Sequence, residues 1–162
     1  MKKKLLIFRF ENVLIDINPG QYYIQKKLWK LLRELKKDGY NLILITSLGF
    51  ESTLRAVTSM EDVSEVVHTH FDKLISSHQP DRQLDEPLRF AEKNKIELDE
   101  IVYFGNYYSD YQAAQKAGID FVGVIDHLTE TQLLNKILPD EKRVHPILFE
   151  EFLQNYLELT KV

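Results

Sequence analysis

The chain alternates short, wholly apolar runs with longer segments whose apolar residues recur every three or four positions. Leu5-Leu6-Ile7-Phe8, Asn41-Leu42-Ile43-Leu44-Ile45-Thr46, Ile101-Val102-Tyr103-Phe104 and Phe121-Val122-Gly123-Val124-Ile125 are runs of the first kind. Continuous apolar runs of this length suit strands covered on both faces, as in a parallel sheet. Between the first two, Ile24, Leu28, Leu31, Leu32 and Leu35 lie on one face of a helix, and lysines and arginines fill the other. Asn18-Pro19-Gly20 is a loop before that helix, and Gly39 closes it as a C-terminal cap. Helical pieces are expected near Glu51–Ser59 and Met60–Val67, and a strand or its lead-in over Phe71–Ile75. Pro87 suits the first turn of a helix running through Leu88–Lys95. Ser109–Ala117 reads as a helix closed by Gly118, and Thr129–Ile137 and Pro146–Leu159 read as two more. Ile147, Leu148, Phe149, Phe152, Tyr156 and Leu157 in the last have core spacing. Strands alternating with helices predict an α/β fold: a Rossmann-like three-layer sandwich with a mainly parallel sheet of about five strands.

Composition narrows the picture without changing it. The 162 residues suit one domain spanning 1–162, large enough to bury about 70% of its unfolded-chain surface. A formal net charge of −4 argues against a nucleic-acid partner. The absence of cysteine excludes disulfides, thiolate chemistry and Cys-based zinc sites, and fits the cytoplasm. Met1-Lys2-Lys3-Lys4 opens like a signal peptide, but the apolar run behind it is too short for a signal core or a membrane span.

In open α/β sheets the site lies beyond the carboxyl ends of the strands. Four segments meet that description: Arg9–Glu11, Thr46–Ser47, the stretch before Pro87, and Gly105–Asp110. Thr46 and Ser47 are candidates either to hold an anion or to cap a following helix. His68 and His70 lie on one side of an extended segment but lack a convincing third metal ligand, so surface histidines are the simpler reading. Tyr107, Tyr108 and Tyr111 either line a pocket or interface or pack, and Trp29 is either an exposed interface residue or a buried edge residue.

These segments together resemble the haloacid dehalogenase (HAD) superfamily, and the resemblance covers nearly the whole chain. There an apolar strand runs into Asp-x-Asp-Gly-(Thr/Val)-Leu, and the first Asp attacks a phosphoryl group. In Phe8-Arg9-Phe10-Glu11-Asn12-Val13-Leu14 that Asp is Arg9 and the second Asp is Glu11. The strand ending in Thr46-Ser47 is similar to the family's strand whose terminal hydroxyl holds the phosphate. A gapless match puts the family's lysine on Leu84, and a shifted one puts Lys-Pro on Gln79-Pro80; neither supplies a lysine, and the role passes to neither Lys73 nor Arg82. Gly105-Asn106-Tyr107-Tyr108-Ser109-Asp110 followed by Ala113, Ala114, Ala117 and Gly118 matches Gly-Asp-Ser-x-x-Asp followed by Ala-Ala-x-x-Ala-Gly, with the metal-ligating first Asp replaced by Asn106.

The resemblance implies a HAD-like fold in which the packing residues are kept and the chemical ones mostly are not. A guanidinium stays protonated and has no lone pair to give, so Arg9 is no nucleophile. Glu11 occupies the position of the family's acid/base residue and points at a leaving group rather than at phosphorus. Arg9, Glu11 and Asp110 carry the only charges at the matched positions, for a net −1 with no metal. Arg9 is therefore expected to replace both the nucleophile and the cation, pairing with Asp110 or Glu11. No cofactor is expected; Mg²⁺ enters only if the chain is a divergent hydrolase, with Glu11, Asn106 and Asp110 as residual ligands. About ten residues separate the first strand from the first helix, and the stretch from Ser47 to Phe71 is short, which leaves no room for a large cap domain. Uncapped members often act on macromolecules or borrow a cap by oligomerising, which implies a protein partner or a homo-oligomer; the short apolar runs predict no membrane partner. The preferred reading is a HAD-like protein that has lost phosphatase activity and acts in binding, regulation or structure. The alternatives are a non-catalytic phosphate or anion binder using Arg9, Thr46 and Ser47, and a divergent phosphatase with residual activity.

Overall fold

The computed structural model describes residues 2–18, 21–24, 26–47, 49, 70–125 and 132–161. Its centre is a six-stranded sheet formed by β1 (Leu5–Arg9), β4 (Asn41–Thr46), β5 (Lys73–Ser76), β6 (Ile101–Gly105), β7 (Asp120–Val124) and β8 (Arg143–Val144). The order is β5-β4-β1-β6-β7-β8, and every pairing is parallel. Strand residues alternate between the two faces. Leu6 and Phe8 of β1 enter one core with Val102 and Phe104, and Leu5 and Ile7 enter the other with Ile101 and Tyr103. Both faces are covered, so the strand sequences are continuously apolar instead of alternating.

Helices α1 (Lys26–Lys37) and α5 (Phe149–Leu159) supply Leu28, Leu32, Leu153 and Leu157 to the first core. Phe104 meets Phe8 in a stack at 5.1 Å and Phe149 at 5.3 Å, contacts worth about 0.5–1.5 kcal/mol each beyond area burial. Helices α2 (Asp85–Lys93), α3 (Tyr108–Ala117) and α4 (Gln132–Ile137) cover the other face through Ala91, Ala114 and Leu134. The expected three-layer α/β architecture is therefore present, and no large cap domain interrupts the described residues. Gly39 and Gly118 end their helices at φ 96° and 75°, the left-handed conformation that favours glycine. Among the described residues no helix is long and apolar enough to cross a membrane.

Several boundaries differ from the sequence expectation. The sheet has a sixth strand, β8, whose two residues are too short to leave a pattern. Ile15–Asn18 and Gln21–Ile24 pair as an antiparallel hairpin, β2 and β3, so Ile24 ends a strand and α1 begins at Lys26. Strand β5 spans Lys73–Ser76, so Phe71 and Asp72 are its lead-in, the second of the two readings of that segment. Helix α2 begins at Asp85, which places Pro87 third in it, where no intrahelical N–H bond is lost. The final helix begins at Phe149, after a tight turn at Pro146–Leu148 that leaves Ile147 and Leu148 exposed instead of in the core. Trp29 is buried, and so is His70, which was expected at the surface; the two rings stack at 4.1 Å. The helical pieces expected at 51–67, and His68, lie outside the described residues.

At the amino end of the sheet, Asp120 opens β7. Lys142 Nζ lies 2.7 Å from both its oxygens, the Tyr156 hydroxyl donates to it, and Lys3 Nζ is 3.6 Å away. Burial alone would raise its pKa, but the bonds from Lys142 and Tyr156 and the two lysine charges outweigh that and leave it below the usual carboxylate value. A depressed folded pKa contributes stability above the unfolded value, about 3.9, that is lost as pH falls through the lower folded value. Asp120→Asn is thus expected to destabilise on the order of 1 kcal/mol near neutral pH. Urea denaturation of both proteins across an acid series should show that difference closing below about pH 4.

Candidate functional site

Strand register assembles the site. Arg9 pairs with Ile45 on one side of β1, and Phe8 pairs with Phe104 on the other. The carboxyl ends of β1, β4 and β6 therefore bring Arg9, Thr46 and Asn106 together. β1 lies between β4 and β6, where the chain order reverses, which is the place such sheets bind ligands. Arg9 shares its face with Leu5 and Ile7, so its side chain turns towards α2 and α3.

Arg9 is 5% exposed and its guanidinium is surrounded by acceptors. Nε donates to both oxygens of Asp110 at 2.9 and 3.0 Å, and Nη2 donates to Asp110 Oδ1 at 2.7 Å. Nη1 donates to Glu11 Oε2 at 2.9 Å, and Nη2 also donates to Gln83 Oε1 at 2.6 Å. The Tyr107 ring lies under the guanidinium at 5.3 Å. The expectation was a pairing with Asp110 or with Glu11; the arginine holds both. Burial by itself would favour loss of the proton, but the Asp110 and Glu11 carboxylates outweigh it and hold the Arg9 pKa above its ordinary value.

Asp110 is fully buried in the first turn of α3. Besides Arg9, the backbone N–H groups of Asn106 and Tyr107 donate to its Oδ2 at 3.1 and 3.0 Å. Gly105 makes this possible, because a Cβ there would come within 2.7 Å of Asp110 Cβ and 2.8 Å of the Phe121 ring. Asn106 is also buried; its Nδ2 donates to Val124 O at 2.8 Å. Asn12 stands at the family's glycine position with φ 59°, a left-handed conformation that asparagine tolerates. Its Nδ2 reaches Asn106 Oδ1 at 3.4 Å and the Tyr107 hydroxyl at 3.2 Å.

Glu11 lies in the turn that leaves β1, closed by Leu14 N–H donating to Phe10 O at 3.2 Å and anchored by buried Phe10, Val13 and Leu14. Its carboxylate is 1% exposed. The Thr46 hydroxyl and the Ser47 N–H (3.1 Å) donate to Oε1, and the Ser47 hydroxyl lies 3.3 Å from Oε2. All three residues proposed as ligand binders, Arg9, Thr46 and Ser47, thus already bind this carboxylate.

Two members were missed in the sequence. Gln83, not Leu84, enters the site: Leu84 packs in the core, while Gln83 Nε2 donates to Pro80 O and Ser109 O at 2.9 and 3.3 Å and turns Oε1 to Arg9. Tyr103 lies mid-strand in β6, with its hydroxyl 2.7 Å from Gln83 Oε1 and 2.9 Å from Asp110 Oδ1. Burial, then the Asp110 charge, push its phenol well above the ordinary value, so it remains a neutral donor. The signal was available: a tyrosine inside an aliphatic strand carries a polar tip that needs a partner. Lys73 and Arg82 are exposed, and among the described residues no lysine is hydrogen-bonded to the cluster. Tyr108 is exposed, Tyr107 and Tyr111 are half-buried, and Tyr111 packs edge-on to Phe121.

The family model for haloacid dehalogenase-like hydrolases matches residues 6–124. The chain belongs to that family. No curated protein sequence matches it. Solved structures agree on the fold of this HAD-like protein. A candidate beta-phosphoglucomutase from Thermotoga maritima has a TM-score of 0.70 at 17% identity, covering 94% of this chain and 99% of that one. The D,D-heptose 1.7-bisphosphate phosphatase of B. bronchiseptica, complexed with magnesium and phosphate, has 0.63 at 16%, covering 94% and 99%. The 3-deoxy-D-manno-octulosonate 8-phosphate phosphatase of Moraxella catarrhalis, in complex with magnesium, phosphate and KDO, has 0.59 at 19%, covering 97% and 90%.

The HAD-like site of this chain does not fit the magnesium ion those two phosphatases hold. A hard cation needs several oxygen ligands, chiefly carboxylates. Here both carboxylates are bridged by a guanidinium, and the Asn106 amide is tied to the β7 backbone. Among the described residues no group of three acidic, histidine or cysteine side chains comes together. Arg9→Ala is expected to cost about 3–5 kcal/mol, since it leaves two buried carboxylates without a counter-ion. Urea denaturation checks this, and Arg9→Lys should recover only part, because an ammonium lacks the fork that meets both carboxylates and Gln83. Gly105→Ala is expected to lose about 1–3 kcal/mol in the same assay by driving Asp110 off its bonds.

Proposed function

We propose that this HAD-family chain has lost Asp-nucleophile phosphoryl transfer and serves as a binding, regulatory or structural protein. The observation that carries the reading is the buried guanidinium of Arg9, bonded at once to Asp110 and Glu11. Phosphoryl transfer of the family type needs a carboxylate nucleophile and a cation to offset the charge that develops. At the nucleophile's position stands a permanently protonated group. Glu11 offers a carboxylate two residues on, but four donors hold it, and each would have to be given up before it attacked anything. Gln83 and Tyr103 complete the cluster around Arg9 and Asp110, and neither is a cation.

The same contacts weigh against a resting anion binder. Thr46, Ser47 and Arg9 would have to release Glu11 before holding a free phosphate.

An aryl phosphate assay with and without Mg²⁺ tests the proposal. The expected rate is that of the buffer control in both arms, and titration calorimetry with Mg²⁺ should give no stoichiometric heat. Metal-stimulated turnover that disappears in Arg9→Ala would overturn the reading.

A further inference from the structure

We infer that the outer face of α5 is a two-fold interface between copies of this chain, with Leu159 of each copy seated in a groove beside β8 of the other. The inference stands apart from the reading of the Arg9 site. Arg9 turns to the α2–α3 side of the sheet and α5 covers the opposite side, so the contact neither covers nor completes that site.

Helix α5 carries two apolar stripes, and the fold buries only one. Phe149, Leu153, Tyr156 and Leu157 are buried in the first core. Leu148, Phe152, Asn155 and Leu159 recur at i, i+4, i+7 and i+11, which places them together on a different face. Among the described residues the three most exposed large apolar side chains are Leu159 (79%), Ile147 (71%) and Leu148 (55%). All three belong to this helix or to the turn before it. Scattered exposed apolar residues are ordinary, but a cluster on one face marks a contact surface.

The same face holds a receptor. A groove of about 370 Å³ lies between β8 and α5. Val144, Leu148 and Phe152 give it an apolar lining, and Arg143, Glu151 and Asn155 a polar one. Among the described strands β8 is the last at that edge of the sheet.

A copy of the same chain fits this face. A two-fold contact needs both complements on one patch, and this patch has a projecting leucine beside an apolar groove. Set antiparallel with Asn155 on the axis, the two helices bring each Leu159 level with Glu151 of the other copy, between its Leu148 and Phe152. The two Asn155 amides then meet, and each has a donor and an acceptor for the other. Charge selects the same direction. Glu150 and Glu151 lie in the first turn of α5, and Lys161 lies just beyond its last. Antiparallel helices bring Lys161 of one copy beside Glu151 of the other, whereas parallel helices set like charge against like. Lys161 also bonds Glu158 of its own helix at 2.7 Å, but an ammonium has three donors and can serve both. One helix face and its flank make a small interface, so the dimer is expected to be reversible.

Analytical ultracentrifugation of the full chain across a concentration series tests this, with circular dichroism as the check on folding. The wild-type mass should rise from that of one chain towards that of two. Leu159→Gln should weaken dimerisation about tenfold or more, because each dimer loses two seated side chains. Should that variant fail to fold, Leu148→Gln in the groove is expected to give the same loss. Glu151→Lys and Lys161→Glu should each weaken the dimer several-fold. An equimolar mixture of those two should restore it, because each chain then meets the opposite charge on the other. A wild type that stays monomeric up to its solubility limit overturns the inference. So does a dimer that neither leucine variant weakens, or a charge-reversed mixture no tighter than its separate components.

Discussion

One guanidinium ties together the centre of this protein. Arg9 sits at the end of the strand in the middle of the sheet, with carboxylates on two sides of it and almost no contact with water. Desolvating three charges costs several kcal/mol each unless geometry and hydrogen bonding are nearly complete. The guanidinium fork meets that demand because its N–H groups diverge in a plane. Asp110 takes Nε and Nη2, Glu11 takes Nη1, and Gln83 takes what remains of Nη2. Elements far apart in sequence (β1, the turn before α2, β6 and α3) thus meet through one side chain.

The geometry around Asp110 depends on packing as much as on charge. Gly105 lets α3 approach the sheet closely enough for the Asn106 and Tyr107 amides to reach the carboxylate. The small residues that follow on α3 continue the approach, with Ala114 fully buried against β6 and β7. In this fold the helix packing positions the acid, and the acid in turn holds the arginine. A change to either reaches the other without an intermediate.

The architecture was readable because burial on both sheet faces leaves continuous apolar strands separated by helical periods. The exceptions follow physical rules. β8 is two residues long and has no period to detect. The β2–β3 hairpin hid because Ile24 fits both the last strand position and the first position of the helical stripe. At the site, Arg9, Glu11, Asn106 and Asp110 were readable from their places at strand and helix ends. Gln83 was not, since a gapless match pointed to Leu84 instead and the turn at Pro80–Arg82 precedes two neighbours that are both buried, of which Gln83 reaches Arg9 and Leu84 the apolar core. Tyr103 was taken as strand core, which its ring is; its hydroxyl reaches the cluster only because β6 lies beside β1.

A covalently attached cation differs thermodynamically from a bound one. A metal that binds only the folded state stabilises it in proportion to the logarithm of its free concentration over its dissociation constant. A carboxylate cluster balanced that way loses stability when the ion is scarce. Arg9 carries no such concentration dependence, because its positive charge is part of the chain and its proton is held above the ordinary arginine value. The same reasoning applies to Glu11 on the anionic side: a carboxylate tethered to the chain meets the Thr46 and Ser47 donors without a concentration term. Both charges at this end of the sheet are thus supplied from within the chain. The family's packing residues Gly105, Ala113, Ala114, Ala117 and Gly118 stand in place, while Arg9 and Asn106, which depart from the pattern, sit where charge is balanced from within the chain.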